Sequence, residues 1–465
     1  MTKQAGLEEY TTYLCEALGH ADRHTGLTDY CRGLMLPIER KSVEPLAANL
    51  SPYHVCAKHQ SLHHFVAKSD WSDEAVLKRV RDWVLPGMKA EGGLFWIVDD
   101  TGFPKKGKHS VGVARQYCGQ LGKQDNCQVA VSLSVAGEAA SVPVAYGLYL
   151  PEIWAGDTER RREAGVPDKL KFATKPQISL EQIRRAKESG LPPGPVLADA
   201  GYGTDTSFRE GLTELELQYC VGVQPAVSVW APGTGPLPPK PRGKKGPLPK
   251  RLRRGPGHHP VSVKTLAQGL ADTAWKKVYW REGSNGKMVS RFAAVRVRPA
   301  HRDEQLQRPR AEEWLLIEWP KGEAEPAKYW LSTLSAGMRL KELVGTAKMR
   351  WRIERDYQEL KQEFGLGHYE GRGWRGFHHH ATLSIAAYGF LTGQRLRAGG
   401  NVKKNAALPK SPVLPADYTP RGAGTHAAAR PRFHCDPAIS DCTQTCAMSA
   451  PVPLLRAKPG AFMTQ

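Results

Sequence analysis

The chain has 465 residues, with 66 lysines and arginines against 46 aspartates and glutamates, a formal net charge of +20. That length supports two or three domains with a sizeable core, and the charge points to a polyanionic partner, because each neutralised phosphate releases counterions. Nine cysteines without a C-x-x-C pair argue against a disulfide framework and for a reducing cytosol; no run approaches the roughly 20 apolar residues that span a bilayer and no signal core opens the chain, so a cytoplasmic protein without membrane contact is expected.

Residues 1–90 read as helical. Apolar residues recur at helical spacing in Leu7, Tyr10, Tyr13, Leu14 and Leu18. Ser51 and Pro52 have the character of an N-cap and a first helical position. A further helix starts near Trp71 and runs through Val76, Val80, Trp83 and Val84. Interspersed Lys, Arg and His suit a DNA-reading helical domain, and a plain packing domain equally.

From Gly92 the period changes. Residues 94–98, 127–135 and 141–150 read as strands, with 137–140 as a hairpin turn. The spacing predicts a helix over 179–189, opened by a capping box from Ser179 to Gln182 and stopped at Gly190. A strand at 196–198, a helix near 207–215 and a strand at 217–223 complete the order β-β-β-α-β-α-β. That order predicts an α/β, ribonuclease H-like mixed sheet with helices on both faces, whose first part spans 91–224.

Residues 225–335 interrupt the pattern. The stretch 232–260 is rich in Pro and Gly, and eight Lys or Arg fall within 240–254. It reads as a flexible basic loop, suited to phosphate contact or to a solvated linker. Strands are expected at 275–280, 289–297 and 314–319, the first two joined by a turn at Ser284-Asn285-Gly286. This makes a β-rich insertion. Residues 336–396 return to helix as the C-terminal part of the core. Residues 397–465 lose periodicity and read as a disordered tail, in which Cys435, Cys442 and Cys446 lack good zinc spacing.

Three acids stand out. Asp100 and Asp199 follow apolar runs on strands that can be neighbours, and Glu354 lies on a distant helix. Such carboxylates can converge to hold two divalent cations about 3.5–4 Å apart, as phosphodiester chemistry requires. At about 100° per residue, Arg350 lies about 40° and Lys361 about 20° from Glu354, whereas Glu359 and Glu363 point about 140° and 180° away. Two cations on that stripe can engage phosphates beside a metal-bound carboxylate. A surface Arg–Glu pair worth a few tenths of a kcal/mol is the plainer reading. His378, His379 and His380 point in different directions on a helix and cannot share one ion; a role near DNA or in capping is expected. Trp351 and Tyr357 read as packing residues.

The spacing Arg350-x3-Glu354-x6-Lys361 resembles the Tyr-x2-Arg-x3-Glu-x6-Lys signature of bacterial insertion-sequence transposases of the DDE superfamily. So do Asp99-Asp100-Thr101-Gly102-Phe103-Pro104-Lys105-Lys106-Gly107, residues 110–117, Ala198-Asp199-Ala200-Gly201-Tyr202-Gly203, residues 365–372 and residues 374–377. The resemblance covers about residues 10–395. It implies metal-binding catalytic acids at Asp100, Asp199 and Glu354, and phosphate contacts from Arg350, Lys361, Lys105 and Lys106. Asp99 competes for the first position, and strand alternation lets only one of the pair aim at the metals. The resemblance selects Asp100, because family members place the acid directly before Thr, as in Asp100-Thr101. Ala347 departs from the signature tyrosine. The function implied is cleavage and strand transfer on double-stranded DNA, at element ends and target. Two Mg²⁺ ions (Mn²⁺ can substitute), a synaptic homodimer and a nucleoid-associated location go with it. A ribonuclease H-like endonuclease without strand transfer and an inactive DNA-binding copy are the alternatives.

Overall fold

The structure, a computed structural model, describes residues 6–89, 93–241, 249–283 and 286–398. Five helices come first: α1 (Leu7–Cys15), α2 (His24–Leu34), α3 (Val43–Leu50), α4 (Val55–Ala67) and α5 (Asp73–Lys89). Helical spacing predicts three. Gly26 and Gly33 lower the helix propensity of α2 and hide it in the sequence. Packing overrides propensity there: a Cβ on Gly26 would sit 2.5 Å from the Phe65 ring of α4, so the glycine is what lets the two helices meet. Ser51 does not open α4. It ends α3, and Pro52 lies in a turn where the His54 N–H donates to the Ser51 carbonyl at 3.0 Å. The fixed φ of proline suits such a turn as well as a first helical turn.

The sheet follows the expected order. Strands β1 (Phe95–Pro104), β2 (Ala114–Cys118), β3 (Lys123–Ala136) and β4 (Ser141–Leu148) precede α6 (Glu152–Ala155), α7 (Thr158–Glu163) and α8 (Lys175–Glu188). Then come β5 (Val196–Ala198), α9 (Ala200–Gly203), α10 (Thr206–Glu214) and β6 (Tyr219–Val223). β1 pairs antiparallel with β3 and parallel with β5, and β5 pairs parallel with β6. β4 lies on the far edge of β3, so the central order is β4-β3-β1-β5-β6, the mixed sheet of a ribonuclease H-like fold. β3 is buried without interruption from Cys127 to Ala136, as a strand covered on both faces must be. Strand β2 and the short helices α6, α7 and α9 are additions to the expected order, and two boundaries differ. β1 runs on past Val98 and carries both Asp99 and Asp100 within it. α8 begins at Lys175, with its capping box between Thr174 and Gln177, while Ser179 is buried inside the helix and donates to the Pro176 carbonyl. Pro176 in the first turn explains the earlier start.

The insertion extends this sheet. It holds β7 (Ser228–Trp230), β8 (Val261–Ser262), α11 (Val263–Gln268), β9 (Lys276–Gly283), β10 (Gly286–Pro299), β11 (Glu313–Trp319) and β12 (Lys328–Ser332). β12 pairs antiparallel with β6, from Tyr329 opposite Val223 to Ser332 opposite Cys220, and makes one continuous sheet of core and insertion. The described flanks of the basic loop are held. Leu237 and Arg253 exchange backbone bonds of 2.8 and 2.9 Å, and the Arg254 guanidinium meets the buried Asp303 carboxylate at 2.6 Å. The middle of that loop, 242–248, and the turn residues Ser284 and Asn285 lie outside the described residues.

The single helix expected near Glu354 is two, α12 (Leu340–Lys348) and α13 (Trp351–Gln362), joined at Met349 and Arg350 with right-handed helical dihedrals at both. α14 (Trp374–Arg397) is buried nearly all round from Gly376 to Phe390, and packs against α5, α2, α4 and β4. Its three histidines are structural, not DNA-facing. His378 accepts from the Leu148 N–H at 3.2 Å; His379 stacks on Trp71 at 3.6 Å; His380 bridges the Tyr30 hydroxyl at 2.9 Å and the Gly365 carbonyl at 2.8 Å. Each ties α14 to a different element, which is why three adjacent histidines share no ligand. The six described cysteines are free thiols, and no helix of the described residues is long and apolar enough to cross a membrane. The expected tail, with Cys435, Cys442 and Cys446, lies outside the described residues.

Candidate functional site

Parallel pairing sets the site. Ile97 of β1 lies opposite Leu197 of β5, and both pack into the apolar cluster that α12 and α13 form with Leu343, Val344, Ala347 and Ile353. Two residues further on, β1 carries Asp99 on that face, and Asp199, just past the end of β5, lies near enough for its charge to act on Asp99. Ser132 of β3, opposite Asp99, meets the Tyr357 hydroxyl of α13 at 2.8 Å, which fixes this as the α13 face. Asp100 lies on the other face, with Trp96 and Val98.

β5 pairs with β1 only at Trp96 and Ile97 and ends at Ala198. Beyond that point β1 has lost a neighbour and its edge opens into a notch. α13 closes the notch from one side. The Tyr357 hydroxyl donates to the Asp99 carbonyl at 3.1 Å, and the Lys361 ammonium donates to the Gly102 carbonyl at 2.7 Å and to Gln120 at 3.0 Å. Asp199 turns off β5 to cap α9, its Oδ1 accepting from the Gly201 N–H at 2.9 Å. The tight turn after it needs Gly203, where a Cβ would lie 2.1 Å from the Gly222 carbonyl oxygen.

Arg350 joins two of the acids. Its Nη1 donates to Asp99 Oδ2 at 2.7 Å and its Nη2 to Glu354 Oε1 at 3.0 Å. Burial pushes the Asp99 carboxyl up to about 7; Arg350 opposes the rise, while Asp199 and Asp100 add to it. The mutual influence of Asp99, Asp199 and Arg350 marks them as one electrostatic unit. Asp100, whose charge also reaches Asp99, makes contacts of its own: its Oδ2 accepts from the Lys175 ammonium at 3.1 Å and the Tyr202 hydroxyl at 3.2 Å. Strand alternation thus selects Asp99 for the face of Arg350 and Glu354, where the resemblance alone selects Asp100.

The expected phosphate contacts divide. Lys361 and Lys105 spend their ammonium groups on carbonyls, Lys105 on that of Tyr369 at 2.8 Å, and burial lowers both pKa values, that of Lys361 to about 8. Lys106 is exposed. Ala347, at the signature tyrosine position, is buried in the core and meets no solvent partner. Lys175 and Tyr202 escape a sequence reading, although Tyr202 stands in the Ala-Gly-Tyr-Gly stretch after Asp199. As they stand, no three His, Cys, Asp or Glu among the described residues are close enough to hold an ion. The donor set nonetheless suits a hard divalent cation: carboxylates only, gathered about a guanidinium that supplies the positive charge, with Glu354 62% exposed and free to swing.

The family model for DDE superfamily endonucleases matches residues 13–287, more than half of the chain. Asp99, Asp100 and Asp199 fall inside that span and Glu354 beyond it. A curated relative, described as a probable transposase for insertion sequence element IS701 from Microchaete diplosiphon, is 34% identical over 166 residues. The match covers 36% of this chain and 40% of that relative. The NurA nuclease from Sulfolobus solfataricus matches in structure over 62% of this chain and 92% of its own, at 8% identity and a TM-score of 0.22, too loose to carry an argument. By its family match and its ribonuclease H-like sheet, the chain belongs to the DDE superfamily of endonucleases.

Proposed function

We propose that the protein is a DNA transposase whose metal-binding acids are Asp99, Asp199 and Glu354. The observation that carries this reading is the chain of contacts Asp99–Arg350–Glu354, with Asp199 near enough for its charge to act on Asp99. Two Mg²⁺ or Mn²⁺ ions held there would supply activation of the attacking oxygen and neutralisation of the leaving one. Arg350, which bonds Asp99 and Glu354, has a planar guanidinium that would suit the scissile phosphate beside ions held by those acids. Lys361 and Tyr357 keep β1 rigid beside α13, so that the acids stay aligned. One site then runs successive in-line displacements without a covalent protein–DNA intermediate: release of the element's 3′ end, then attack of that hydroxyl on target DNA. Two element ends call for two copies, hence a synaptic homodimer in the cytoplasm, at the nucleoid. The +20 charge supports the polyanionic substrate.

Incubating the full chain with element-end DNA, target DNA and Mg²⁺ tests this. Joined products are expected. Nicks without joining would leave an endonuclease, the function in the family's own description. DNA binding without cleavage would indicate an inactive copy.

A further inference from the structure

The hairpin of β2 and β3 leaves large side chains in water beside the site, and the proposed metal chemistry gives them no task. Tyr117 is 60% exposed and Leu121 41% exposed. Arg115 and Tyr117, two residues apart on β2, fall on one face of the ribbon, and both are exposed. Cys118 is buried against β1: a Cβ on Gly102 would lie 2.8 Å from its Sγ, so a glycine there admits the close approach. In the turn at 119–122 the Leu121 N–H donates to the Cys118 carbonyl at 2.9 Å, and Gly122 is left-handed. Gln120 of that turn accepts from Lys361 of α13 at 3.0 Å, and the same ammonium holds the Gly102 carbonyl at 2.7 Å. The hairpin tip is thereby fixed beside the residue two places beyond Asp100, and against the helix that carries Glu354. At the root of the hairpin, the Asn126 amide donates to the Lys105 and Gly107 carbonyls at 2.6 and 3.0 Å, which brings the exposed Lys106 and Lys108 alongside.

We propose that this hairpin is a DNA finger: Tyr117 stacks on an unpaired base next to the acidic site, and Arg115 holds a phosphate of the same strand. The inference rests on the transposase reading and adds a platform for bases to its site. An aromatic face accepts any base, so the contact tolerates all sequences, but it needs a base freed from its pair. Two residues of strand span about 6.8 Å, so the ring and the guanidinium can meet one nucleotide and its phosphate. Charge favours DNA over the other occupant of such a surface, a second copy of the chain. Arg115 lies on the ribbon and Lys106 and Lys108 at its root, and a chain of net charge +20 would bring more of the same sign.

The test uses the full chain without Mg²⁺, a duplex with a short unpaired stretch that carries a fluorescent adenine analogue, and the fully paired duplex of the same sequence. The parent is expected to prefer the partly unpaired duplex and to quench the probe. Tyr117→Ala is expected to bind it roughly 5- to 150-fold more weakly, the loss of one stacked base, and to leave the probe bright. Its melting temperature and its affinity for the paired duplex are expected to stay parental, which a folding defect would not allow. Tyr117→Phe is expected to restore both affinity and quenching. Arg115→Gln is expected to make the salt slope on the partly unpaired duplex shallower by about 0.7, the loss of one single-strand phosphate contact. Parental affinity and quenching in Tyr117→Ala, or no preference in the parent, overturns the proposal. So does a Tyr117→Ala that turns a DNA-free dimer into a monomer, which would give the surface to a second copy. Failure of the transposase reading itself would look different: no cleavage or joining by the unmutated chain once Mg²⁺ is added.

Discussion

Asp99 and Asp100 are neighbours in sequence whose carboxylates meet different partners. Asp99 is the more enclosed, faces α13, and is paired with Arg350. Asp100 faces α8, and is paired with Lys175 and Tyr202. One residue of strand period separates them, and that single step puts one in a crowded acidic cluster and the other beside a cation. The comparison teaches that a pair of acids in a motif is two sites until the strand's register is known.

The largest effect that bears on this contrast is on the α13 face. Asp199→Asn and Glu354→Gln are expected to lower DNA cleavage by more than about 100-fold, since even the outer partners of a metal cause losses near that size; a quantitative nicking assay reads it. Arg350→Met comes next. It leaves Asp99 unopposed in a mostly enclosed site and is expected to cost about 2 kcal/mol in chemical denaturation, below the roughly 3–5 of a fully buried pair because the arginine is 25% exposed. Mn²⁺ should stabilise this variant more than the parent, because no guanidinium has to leave. Equal stabilisation would mean that Arg350 does not stand where the ions bind.

Much of this face is legible in the sequence. The five core strands, their order, and the stripe of Arg350, Glu354 and Lys361 follow from apolar runs and helical geometry. What escapes depends on contacts far apart in the chain. Nothing local in residues 328–332 says that β12 will pair with β6 and carry the insertion onto the central sheet. That Asp99, and not Asp100, meets Arg350 follows from strand register and alternation, which no motif states. Lys361 resembles a phosphate ligand in its spacing, yet it meets the Gly102 carbonyl because β5 ends early and leaves β1 with an open edge. The histidines of α14 read as polar and are core residues, because a backbone N–H, a hydroxyl and three carbonyls of other segments take up their ring nitrogens.

Those histidines give a pH-dependent effect away from both aspartates. Burial lowers the His380 pKa to about 4, against an ordinary 6.5. The unfolded chain therefore binds the proton first, and stability is lost as pH falls from about 6.5 towards about 4, by at most roughly 3 kcal/mol from this residue. His380→Gln is expected to flatten that part of the melting-temperature curve, and an unchanged curve would place the titration elsewhere. The smallest effect belongs to Lys106. Lys106→Ala should leave stability within about 0.5 kcal/mol and make the salt slope of duplex binding shallower by about 0.9. No change in slope would confine phosphate contact to the notch.

The contrast between the two aspartates is tested most directly by calorimetric titration of Mn²⁺ into the full chain without DNA, comparing Asp99→Asn with Asp100→Asn. Binding is predicted to be lost in Asp99→Asn and kept in Asp100→Asn. The reverse pattern would contradict the assignment and return the metal to Asp100.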